Sequence, residues 1–256
     1  MTGFPLLHAD LYHALLDSYL VSFLENIDNT QMRHIFALTG VTNSSVSITV
    51  KRDDSQSQVS HYHLSSYNLL DLQFSPTMQT VVHISASQAV SIFGEDNGGG
   101  TFAALPISPL QGDPEFEEYL VMSHANNIVE INFMGFIVIV ASTDNTEVKV
   151  TPGQNASSFV EELSEEEYKE AVIFLHRLDT LTLTSYNDLT GTIIRADKPI
   201  AVYSGHECGN IPVDISSCGH LVEQMPPVRV LGYCYIVTSF MGRQDGSYVK
   251  FNLLRL

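Results

Sequence analysis

Apolar and polar residues alternate with a period of two at short intervals along much of this chain. Val46, Ile48 and Val50 are interleaved with Ser47 and Thr49, Val90 and Ile92 flank Ser91, and the same spacing recurs at Leu70, Leu72 and Phe74 and at Leu181 and Leu183. On extended backbone successive side chains point to opposite faces, so this period predicts half-buried strands. Four tight reversals separate such runs. Residues 36–39 lead through Thr42, Asn43 and Ser44 to Val46, and residues 136–141 lead through Thr143, Asp144, Asn145 and Thr146 to Val148 and Val150. Residues 81–86 turn at Ser87 and Gln88 into 90–94, and residues 193–196 turn at Asp197 and Lys198 into 200–204. Turn-forming residues between apolar runs predict β-hairpins, and Pro199 stands at a strand start, where a missing N–H is tolerated. Two stretches depart from the pattern. Leu6, Leu7, Leu11, Leu15 and Leu16 form a helical stripe and predict a short N-terminal helix, and Glu161, Glu162, Glu165, Glu166 and Glu167 predict an acidic loop or short helix ahead of Leu181.

The reversals come in pairs because the chain repeats itself. Tyr19-Leu20-Val21 and Tyr119-Leu120-Val121 open two blocks 100 residues apart, Asn43 aligns with Asn145, and Val90 aligns with Ile200. A period this long means that a whole supersecondary unit is duplicated. The division expected is an N-terminal extension over 1–17, a first β repeat over 18–110, a second over 111–230, and from 231 to 256 the start of a third that is cut short, signalled by Tyr235-Ile236-Val237. The fold class expected is all-β, with tandem antiparallel sheets of seven or eight strands per block. Two β-sandwich-like units are the first architecture and a propeller-like ring of four-stranded blades the second.

Charge narrows the function. The formal net charge of −17 with 12 Lys+Arg disfavours nucleic acid and anionic membrane surfaces as partners. No run of eighteen apolar residues is present, so no membrane insertion is expected, and the first residues lack the basic start and small-residue cleavage site of a signal peptide. There is no glycine-rich phosphate loop, nucleophile elbow or His-Glu-x-x-His helix, and no cofactor is expected.

Chemistry is sought where the copies differ. Gly205-His206-Glu207-Cys208-Gly209-Asn210 and Cys218-Gly219-His220-Leu221-Val222-Glu223 have as their counterpart in the first block only Glu95-Asp96-Asn97 and three glycines. Three readings of the cysteines stand open: a disulfide Cys208–Cys218 closing the loop, a zinc site of His206, Cys208, Cys218 and His220, structural or hydrolytic, and a cysteine nucleophile with a histidine base. His206, Glu207, Asn210, His220 and Glu223 are the binding-loop candidates. Cys234, between Tyr233 and Tyr235, reads as a buried free thiol, and His61 and His63 as a solvated strand face. Asn43-Ser44-Ser45 and Asn155-Ala156-Ser157 are candidate glycosylation sites in turns.

From Asp188-Leu189-Thr190-Gly191-Thr192 through Asp197-Lys198-Pro199-Ile200 to Cys218-Gly219-His220-Leu221-Val222-Glu223-Gln224-Met225-Pro226-Pro227, the second block resembles the N-terminal domain of the IgGFc-binding protein family. The resemblance implies a non-enzymatic binding or adhesion module, extracellular or at the cell surface within a larger protein. It implies a protein or glycoprotein partner, mucin-like or immunoglobulin-like, and it favours the disulfide among the three readings.

Overall fold

The computed structural model describes residues 18–23, 33–52, 57–75, 80–98, 101–108, 110, 117–124, 133–153, 170–211, 218–237 and 250. The helix expected over 1–17, the acidic run at Glu161–Glu167 and the sequon at Asn155 lie outside these residues.

The first block contributes β1 (Ser18–Ser22), β2 (Arg33–Thr39), β3 (Ser44–Arg52), β4 (Gln58–Leu64), β5 (Leu69–Phe74), β6 (Thr80–Ala86), β7 (Val90–Gly98) and β8 (Thr101–Ile107). The second contributes β9 (Glu117–Leu120), β10 (Gly135–Ala141), β11 (Thr146–Thr151), β12 (Ala171–Leu175), β13 (Thr180–Ser185), β14 (Ile193–Ala196), β15 (Ile200–Gly209) and β16 (Gly219–Gln224). Residues 171–175, between the acidic run and Leu181, are strand β12, and with it the sixteen strands of the described residues are complete. They form four four-stranded antiparallel sheets: sheet I, β1-β6-β3-β4; sheet II, β5-β2-β7-β8; sheet III, β9-β14-β11-β12; and sheet IV, β13-β10-β15-β16. Sheet III repeats the strand order of sheet I and sheet IV that of sheet II. The fold is all-β, and its four small sheets are arranged like the blades of a four-bladed propeller, paired within each block around a shared core.

The four reversals are not hairpins. β2 lies in sheet II and β3 in sheet I, and the steps β6–β7, β10–β11 and β14–β15 likewise change sheets. A turn sequence specifies that the chain reverses, and a corner between two packed sheets satisfies it as well as a ladder does. Both blocks place a non-glycine residue in the left-handed region at equivalent corners, Tyr67 at φ 55° and Leu178 at φ 64°.

The two central strands of sheet IV, β10 and β15, are buried on both faces. Phe136, Val138, Val140, Ala201 and Tyr203 pack into a core with sheets I and II, whereas Ile137, Ile139, Ile200 and Val202 pack with sheet III. This is why residues 136–141 read as a continuous apolar run rather than an alternation. The two blocks also duplicate a buried bond. The Tyr19 hydroxyl donates to the Val90 carbonyl at 2.7 Å and the Tyr119 hydroxyl to the Ile200 carbonyl at 2.9 Å. Between blocks, the Tyr203 hydroxyl donates to the Leu20 carbonyl, Lys51 pairs with Asp179 at 2.6 Å, and the Gln224 side chain accepts the Ser108 N–H at 2.7 Å.

Beyond the Val228–Val230 turn, residues 231–237 form no strand. The tyrosine expected to open a third repeat, Tyr235, is exposed there, and Cys234 is exposed rather than buried because no strand among the described residues packs over this segment.

Candidate functional site

The unduplicated loop connects β15 to its ladder partner β16. Cys208 and Cys218 are joined in a disulfide with their Cα atoms 5.1 Å apart. The β15–β16 register slips between His206 and Gly209, a bulge that re-aims the side chains at the end of the strand. Glycines permit the close approach: a Cβ on Gly205 would lie 1.9 Å from the Leu221 carbonyl oxygen, and one on Gly209 would lie 2.3 Å from the Leu221 side chain.

Ahead of the bulge, His206 keeps the alternation of Ile200, Val202 and Ser204 and is buried. Its Nδ1 accepts the Cys208 N–H at 3.1 Å, which leaves the proton of the neutral ring on Nε2. His124 packs edge-on with 6.1 Å between ring centroids and donates from Nε2 to the Asn210 carbonyl at 2.8 Å. Glu207 is tied to Met134, donating its N–H to the Met134 carbonyl at 3.1 Å and accepting the Met134 N–H on Oε2 at 3.0 Å. His220 packs on the Phe136 ring at 5.9 Å. The first block supplies a buried ion pair, Arg33 to Asp96 at 3.3 Å, and the Arg33 guanidinium also lies 5.6 Å over the Phe23 ring. Burial pushes the His220 ring below the ordinary imidazole range, with Asp96 and the Glu207 backbone acting the other way and Arg33 adding to the fall.

Of the five binding-loop candidates, His206, Asn210 and His220 are therefore buried and shape the loop from within. Glu207 is half-buried and Glu223 is exposed. His124, Arg33, Asp96 and Met134 escaped the sequence reading. Arg33 and Asp96 could have been found by parity, since they share the inward face of their strands with Ile35 and Ile92; their pairing across 63 residues has no local signature. The zinc and nucleophile readings are overturned by one fact: both thiols are spent on each other. Among the described residues no group of three His, Cys, Asp or Glu side chains is placed to hold a metal ion.

The family model described as IgGFc binding protein matches residues 100–254, which takes in this loop, all of sheets III and IV, and β8. The chain belongs to this family. A human protein described as IgGFc-binding protein is 33% identical over 79 residues, a match covering 30% of this chain and 1% of the human protein. The chain thus spans only a small fraction of the length of that relative. The family is a binding family, and no helix among the described residues is long and apolar enough to cross a membrane.

The buried histidine makes stability depend on pH. Burial, then the neighbouring His124 and His220, lower the His206 pKa from 6.5 to about 4. Between those values the unfolded chain takes up a proton that the folded chain refuses, so stability is full above pH 6.5 and falls as pH drops toward 4. The loss is of order 2–3 kcal/mol. Urea unfolding at pH 7, 5.5 and 4.5 measures it, and His206→Gln should flatten the slope; an unchanged slope in that variant would assign the acid loss to other groups.

Proposed function

We propose that this chain is a non-enzymatic, extracellular protein-binding module and that the outer side of the stapled β15–β16 loop belongs to its contact surface. The observation that carries the reading is the family match, which spans the stapled loop that has no counterpart in the first block. A disulfide at that element suits a secreted or surface protein, since such bonds persist in oxidising compartments. Ile211 is exposed beside the staple and Glu223 is exposed further along β16, opposite Ser204, and loops held by a rigid sheet are where binding residues concentrate. Asn43, in the β2–β3 corner, is exposed and accepts the Ser66 N–H through Oδ1 at 2.8 Å, which leaves its Nδ2 available for a glycan in a secretory setting.

The ligand class is an extracellular protein or glycoprotein. The name of the human relative makes the Fc fragment of immunoglobulin G the first to test, and a mucin glycoprotein, which the family resemblance suggests, is the second. The disulfide-bonded chain, passed over each immobilised ligand, should bind one saturably. The double variant Ile211→Asp/Glu223→Lys should bind at least about tenfold more weakly, a loss of ~1.4 kcal/mol, with its melting temperature unchanged. Saturable binding to neither ligand, nor to any protein captured from mucosal secretion, would count against the module; binding unaltered in the double variant would move the surface elsewhere.

A further inference from the structure

The packing of one block on the other has a direction. In sheet I, Tyr19, Ile48 and Ile84 face sheet II, while Leu20, Thr49 and His83 on the opposite face turn toward sheet IV. Sheet IV answers with Phe136, Val138 and Tyr203, the last reaching the Leu20 carbonyl. Because the blocks are copies, each of these two faces exists twice. The counterpart of the sheet I face is the outer face of sheet III, where Leu120 replaces Leu20 and Val172 and Phe174 stand 50% and 65% exposed. The counterpart of the sheet IV face is the outer face of sheet II, where Phe36 replaces Val138 and Phe93, 45% exposed, replaces Tyr203. Among the described residues, one pair of equivalent faces is closed within the molecule and the other pair keeps Phe93, Val172 and Phe174 exposed.

We propose that the outer face of sheet II of one molecule docks on the outer face of sheet III of a second copy, repeating between molecules the packing of sheet IV on sheet I within one. Continuity with the existing block interface identifies the occupant, since each open face is the repeat of a surface that already has such a partner. The contact joins unlike faces, so it is head-to-tail and leaves an open face at each end of a pair.

Sedimentation velocity across a concentration series, in reducing buffer and in a Cys234→Ser background, tests this. The expected result is a weight-average mass that rises with concentration beyond the dimer. Phe93→Glu and Phe174→Glu should each reduce the chain to monomer with its circular dichroism and melting temperature retained, because both side chains are exposed and an unpaired charge is costly to bury. An equimolar mixture of the two variants should associate again and stop at the dimer, since each contributes one intact face. A monomer up to about millimolar concentration, association untouched by either variant, or a mixture that stays monomeric would each overturn the proposal.

Discussion

Tyr203→Ala should destabilise the protein by about 3–5 kcal/mol, the range for truncating a large buried aromatic side chain. Tyr203 is fully buried on β15, packs with residues of both blocks, and donates its hydroxyl to the Leu20 carbonyl on β1. Burial raises the phenol pKa far above its ordinary value, so the hydroxyl remains a donor at every pH at which the chain is folded. Tyr203→Phe separates the two contributions. It keeps the ring and strands the buried Leu20 carbonyl, at a cost of about 1–2 kcal/mol. Urea unfolding read by far-ultraviolet circular dichroism checks both variants. Because the side chain couples the blocks, Tyr203→Ala should also broaden the transition and lower its apparent m-value as the blocks begin to melt separately. A loss below about 1 kcal/mol for Tyr203→Ala would show that the blocks are held together elsewhere, with the Lys51–Asp179 pair too exposed to carry much of the load.

Strand periodicity and duplication were readable because both are local or self-referential. Val46, Ile48 and Val50 alternate on one strand, and Tyr19 and Tyr119 announce equivalent starts that prove to make equivalent hydroxyl bonds. Which strand pairs with which was not readable. Asn43 and Asn145 mark true reversals, yet the flanking strands enter different sheets, because a turn composition fixes the direction of the chain and not the destination of its hydrogen bonds. The stapled loop was found by asking where the copies differ, and the pairing of Cys208 with Cys218 followed from family resemblance and was then seen in the structure. Its inward chemistry was missed: donor type marks His206 and His220 as candidates, but the burial that turns them into structural groups depends on Phe136, His124 and the Arg33–Asp96 pair arriving from distant strands.

Gly205→Ala should be almost as damaging as Tyr203→Ala, about 4 kcal/mol, above the ~1–3 kcal/mol usual for overpacking. The obstacle is backbone: the added Cβ would stand 1.9 Å from the Leu221 carbonyl oxygen and 2.8 Å from the Phe136 ring. A side chain could rotate away, but Leu221 belongs to β16, which is laddered to β15 through the Gly205–Val222 and His206–Leu221 pairs and tethered by the disulfide. To make room, β16 would have to leave the ladder and take His220 with it. Position 205 corresponds to Glu95 in the first block, so the repeat itself tolerates a long side chain here; the need for glycine comes from the approach of this particular neighbour. Gly219→Ala is the internal control. It lies on the facing strand with nothing within 4 Å of the added Cβ and should change stability by no more than about 0.5 kcal/mol. Paired denaturation curves, with free-thiol titration to report whether Cys208 and Cys218 still close, measure both. A Gly205→Ala variant as stable as Gly219→Ala would mean that β16 is not held against β15 at this point, and the inward placement of His206 and His220 would lose its basis.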